Sequence, residues 1–140
     1  MNDKELDNKK LDSKELTGIV ALLVHAAKID DDYTDKEKKL ISSFIKSFIR
    51  QEEIAEKILK EAENLENNSN QLLNFTNIIK KNSLEMKSIV VKELWKVIIS
   101  NDINDEYESN LMRRICGLIY FPDKLSGEIK LEIIKRKNLT

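Results

Sequence analysis

The stretch LTGIVALLVHAAKIDDDYTDKE (Leu16–Glu37) decides the fold. Its apolar residues, Leu16, Ile19, Val20, Leu22, Leu23, Val24, Ala26 and Ala27, cover more than one stripe of a helix. A helix apolar on most of its circumference belongs in the middle of a bundle. Three consecutive aspartates, Asp30, Asp31 and Asp32, should stop it, because short polar side chains compete with the helical backbone and favour turns. Thr34 and Glu37 then have the spacing of a capping box, with Asp35 also in the first turn, where the helix dipole favours acids. Upstream, Asp12 and Glu15 have the same spacing. The stretch therefore reads as helix, acidic turn, helix.

Working outward, every further segment has helical periodicity. The helix opened by Thr34 buries Leu40, Ile41, Phe44, Ile45 and Phe48. A third helix, from about Gln51 to Leu65, uses Ile54, Ala55, Ile58, Leu59 and Ala62, and its charged face is expected in solvent. A fourth follows on Leu72, Leu73, Phe75, Ile78 and Ile79. Asn82 with Glu85 predicts the cap of a fifth, which buries Met86, Ile89, Val90, Leu94, Trp95, Val97 and Ile98 and stops at Ser100-Asn101-Asp102. Asp105 with Glu108 predicts the cap of a sixth, on Leu111, Met112, Ile115, Cys116, Leu118 and Ile119. Phe121-Pro122 breaks that helix. A seventh starts near Leu125 or Ser126 and continues on Ile129, Leu131, Ile133 and Ile134. No alternating strand pattern occurs, so the expectation is an all-α compact bundle of about seven helices.

Composition agrees. The 140 residues carry 24 Lys+Arg against 25 Asp+Glu, a net charge of -1 that speaks against a generally basic nucleic-acid binder. Three Gly and one Pro leave few helix breakers. One Cys excludes an intrachain disulfide, and one His excludes a His-pair metal motif. No apolar run is long enough for a membrane span or a signal peptide, so a cytoplasmic protein is expected. Heavy use of Lys, Asn and Ile points to an AT-rich, bacterial genome. Residues 1–12 are expected to be a frayed N-terminus and 13–140 one helical domain.

A shift of 71 positions superposes Val20, Leu23, Asp31, Glu37 and Leu40 on identical residue types, Val91, Leu94, Asp102, Glu108 and Leu111, and Thr34 on Asp105. This reads as two pseudo-repeated helical hairpins. Asp31 and Asp102 would occupy the left-handed position that often ends a helix.

The two turns resemble those of the tellurite-resistance protein TerB family. That family has an apolar helix ending in Ala-Asp-Gly and a Glu opening the next helix, twice over. The counterparts here are Ile29-Asp30-Asp31 with Glu37, and Leu94-Trp95 leading to Ser100-Asn101-Asp102, Glu106-Tyr107-Glu108, Leu111 and Arg113-Arg114-Ile115. The resemblance spans about residues 13 to 137 and implies a TerB-like helical fold with divalent-metal binding at the acidic turns. The motif Gly is Asp in both copies, and the motif Asp is kept as Asp30 but becomes Asn101, which removes a charge from the second turn. Some relatives carry a J domain, whose His-Pro-Asp tripeptide has only Phe121-Pro122-Asp123 as its nearest counterpart.

The candidate metal ligands are Asp30, Asp31, Asp32, Asp35 and Glu37 at the first turn, and Asp102, Asp105, Glu106 and Glu108 at the second. Clustered carboxylates suit hard cations. The first group is not an EF-hand, since Ile41 falls where the bidentate Glu is needed and Asp35 where Gly is required. The plainer reading is that these acids form a turn and a helix start. Arg113 and Arg114 either bind an anion or partner, or pair with neighbouring acids such as Glu106. Trp95, His25 and Cys116 read as core residues, and a lone His makes no triad. Lys130, Lys135, Arg136 and Lys137 form a short basic tail. The expectation is a non-enzymatic, stress-associated interaction module with protein partners and weak divalent-cation binding. A metal-dependent enzyme using the same acids, or a purely structural domain without metal, is the alternative.

Overall fold

The structure is a computed structural model. It describes residues 12–28, 33–69, 72–100 and 105–139, with backbone alone at 105–108 and 137–139. Among the described residues there are seven helices and no strand: α1 (Ser13–Ala27), α2 (Asp35–Lys46), α3 (Glu52–Asn67), α4 (Leu73–Lys80), α5 (Leu84–Ile99), α6 (Asp105–Ile119) and α7 (Asp123–Leu139). None of them is long and apolar enough to cross a membrane.

α1 is the central helix that its composition predicts. Leu16, Gly18 to Val24, Ala26 and Ala27 are all buried, and α2, α3, α4 and α5 pack around it. α1 and α4 approach closely at Gly18, where a β-carbon would push aside the δ-methyl of Ile78. α5 contributes the other wide apolar face, with Val90, Val91, Leu94, Trp95, Val97 and Ile98 buried. α7 packs on α5 and α6, and α6 also meets α4. The buried apolar side chains form one cluster.

Both predicted N-terminal caps of the α1–α2 hairpin are made. Asp12, at the end of the stretch expected to be frayed, accepts from the Glu15 N–H at 2.7 Å while Glu15 accepts from the Asp12 N–H at 3.1 Å. Thr34 and Glu37 exchange the same pair of bonds at 3.2 and 2.7 Å. The other boundaries shift. The cap of α5 is Ser83, whose Oγ accepts from the Met86 N–H at 3.1 Å, whereas Asn82 donates backwards to the Ile78 carbonyl. α7 starts at Asp123 and not at Leu125 or Ser126, because the Pro122 carbonyl accepts from the Ser126 N–H and Asp123 sits in the first turn. Ile54, Leu73 and Leu131, assigned to apolar faces by periodicity, are exposed.

The one non-glycine residue with positive φ among the described residues is Tyr120, at 59°. It ends α6, where the Phe121 N–H reaches back to the Cys116 carbonyl at 2.8 Å and the Phe121 ring is buried. Asp31 and Asp102, expected in the left-handed position, lie outside the described residues.

Candidate functional site

On either side of the acidic turn between α1 and α2, Lys28 and Tyr33 meet the C-terminal end of α3. Of the turn's five candidate ligands, Asp30, Asp31 and Asp32 lie outside the described residues. Asp35 is exposed in the first turn of α2, and Glu37 is fully buried. Glu37 Oε1 is used by the capping box and by the Thr34 hydroxyl. Glu37 Oε2 is buried and has no hydrogen-bond partner among the described residues. At the second turn, Asp102 lies outside the described residues. Asp105, Glu106 and Glu108 are placed on the first turn of α6 by their backbone, with their side chains likewise outside. α6 already includes Asp105, whereas its counterpart Thr34 precedes α2. The pairing of the two hairpins as repeats thus rests on the sequence register.

Around Glu37 the fold assembles groups that local periodicity assigned to solvent. α3 presents Glu63 and Glu66 to α1 and to the turn. The Glu66 carboxylate accepts from Lys28 Nζ at 2.8 Å through Oε1 and pairs with His25 Nδ1 at 3.2 Å through Oε2. The Tyr33 hydroxyl donates to Glu63 Oε2 at 2.7 Å, and the Lys38 ammonium stands 5.0 Å from the Tyr33 ring centre. Burial raises the Tyr33 pKa above its ordinary value, helped by the bond to Glu63 and the negative charges of Glu63, Glu37 and Glu66. This phenol stays a neutral donor.

The expected solvated face of α3 therefore needs correction at its end. Glu66 lies four residues after Ala62 and eleven after Ala55, so it continues the buried stripe, and its side chain is 10% exposed. That extension was the available signal. Among the described residues no group of three or more His, Cys, Asp or Glu is arranged to hold a metal ion, so a cation at Glu37 would need donors from residues 30–32.

The remaining candidates separate into core and surface. His25 is not enclosed in the core. Its side chain is 40% exposed, paired with Glu66 and tilted against Phe75. Cys116 is buried, and burial raises its thiol pKa while a hydrogen bond with Ser126 opposes the rise. Trp95 is buried and donates to Ser126 Oγ. Arg113 and Arg114 are exposed on α6. In the basic tail, Arg136 pairs with Glu132 one turn back at 3.4 Å, and Lys130 lies over the Trp95 ring.

No curated protein and no solved structure matches the chain. The family model described as "Tellurite resistance protein TerB" matches residues 16–131, from the first turn of the central helix to the middle of α7. With the helical fold in place, that match over most of the chain makes it a member of the TerB family.

Proposed function

We propose that the chain is a non-enzymatic, stress-associated interaction module whose α1–α2 turn takes up a divalent cation weakly and presents the neighbouring surface to a protein partner. The carrying observation is the buried Glu37 Oε2, which lacks a hydrogen-bond partner among the described residues. A buried carboxylate oxygen without a donor is costly. A hard cation offsets that cost best where further oxygen ligands lie close along the chain, as Asp30, Asp31 and Asp32 do. The tellurite-resistance description of the family supports the stress association. The non-enzymatic reading is supported by the described groups beside the turn, which are carboxylates and a phenol held neutral.

The test is thermal melting with Ca²⁺, Mg²⁺, Mn²⁺ or Zn²⁺ at millimolar concentration. At least one should raise the melting temperature, and Asp30→Ala with Glu37→Ala should abolish the rise. No rise with any of the four sinks the cation reading. Affinity capture from the native cell, with and without the effective metal, then identifies the partner.

A further inference from the structure

A second feature lies between the last three helices. α5, α6 and α7 enclose an open cleft of about 240 Å³. Trp95 of α5 and Met112 of α6 supply its apolar wall. Arg113 of α6 and Lys130 of α7 supply two positive charges, and Asp123 supplies one negative charge. The Lys130 ammonium stands 4.9 Å from the Trp95 ring centre, and Ser126 is fixed by the indole N–H at 3.0 Å. Gly127 also lines the cleft, and a β-carbon there would meet nothing within 4 Å. A side chain there would project into open space.

We propose that this cleft binds a small monocarboxylate, with its charged end at Arg113 and Lys130 and its apolar body against Trp95 and Met112. The guanidinium presents paired N–H donors that match a planar carboxylate, and the ammonium adds a point charge. Among the described lining residues two cations offset by Asp123 leave a single net positive charge, which suits a monoanion better than a dianion such as phosphate. The volume lies below the usual range for drug-sized ligands, roughly 300–1,000 Å³, which limits the ligand to a short chain. The proposal is independent of the cation reading, since it uses none of the residues of the acidic turns.

The sequence contains one Trp, so Trp95 emission reports directly on the cleft. The full chain is titrated with sodium butyrate, with inorganic phosphate as the dianion and sodium chloride as the ionic-strength control. Amide resonances of residues 126–130 are followed as a second readout. Butyrate should produce a saturable change in both at millimolar concentration, with phosphate weaker. Arg113→Met should weaken butyrate binding by roughly tenfold or more, as expected for loss of a charge-assisted pair. Gly127→Leu should fill the cleft and remove binding while the circular-dichroism melt stays cooperative. If that variant does not fold, Arg113→Met, an exposed position, still decides. No saturable change, undiminished binding in Arg113→Met or in folded Gly127→Leu, or phosphate binding more tightly than butyrate would overturn the proposal.

Discussion

The indole Nε1–H of Trp95 donates to Ser126 Oγ at 3.0 Å, joining α5 to the first turn of α7 inside the core. One buried hydroxyl therefore joins two helices, and Ser126, near which the sequence places the start of α7, lies inside its first turn.

Ser126→Ala leaves a buried indole N–H without an acceptor. The expected loss is about 1–3 kcal/mol, measured by urea unfolding followed through Trp95 emission. Ser126→Thr, which keeps the hydroxyl, should lose less. A stability unchanged within error in Ser126→Ala would mean that the bond contributes nothing net.

Tyr120 ends α6 with φ 59°, a conformation in which a β-carbon is strained. Tyr120→Gly should stabilise the protein by about 1 kcal/mol, reduced by whatever the Lys80 ammonium gains from lying 5.1 Å from the Tyr120 ring centre. Paired thermal melts of Tyr120→Gly and Tyr120→Ala separate the two effects, since Ala keeps the strain and loses the ring.

The central helix and the caps of its hairpin were legible because each signal is local: a wide apolar face in Leu16–Ala27, and partners three residues apart at Asp12–Glu15 and Thr34–Glu37. Where two local signals compete, position slips. Asn82 and Ser83 are both capping residues, and Glu85 has box spacing only with Asn82, yet the structure uses Ser83. Non-local pairings were not legible. Glu63 and Glu66 reach Tyr33, His25 and Lys28 because α3 packs on α1, and Tyr120 adopts positive φ because burying Phe121 requires the chain to turn there. The acids of the turn were found by composition, whereas the oxygen of Glu37 that has no partner among the described residues is a property of the packing alone.

Tyr33 gives the pH dependence a definite sign. Its folded pKa lies above the ordinary value of 10.0, through burial first and then through the Glu63 bond and the surrounding carboxylates. Below about pH 10 the phenol is protonated in both states and its contribution to stability is fully present. Above that, the unfolded chain releases a proton that the folded one keeps, so stability falls as pH rises. Urea midpoints measured from about pH 9 to 11 should decline more steeply in the wild type than in Tyr33→Phe, which cannot titrate. Equal slopes would mean that Tyr33 ionises as readily folded as unfolded.

Glu37 combines a cap with a buried charge, and two substitutions separate them. Glu37→Gln keeps a side-chain carbonyl for the Thr34 N–H but removes the charge, whereas Glu37→Ala removes both. In a metal chelator, Glu37→Ala should cost about 0.5–2 kcal/mol for the lost cap, plus the cavity left in a fully buried site. Glu37→Gln should cost less or stabilise, because it relieves an uncompensated buried carboxylate oxygen. On adding the effective divalent cation the order should change: the wild type gains stability and both variants stay where they were. Glu37→Gln as unstable as Glu37→Ala in chelator would indicate that the charge is already paired within the folded chain. A cation would then find no vacant carboxylate oxygen at this turn.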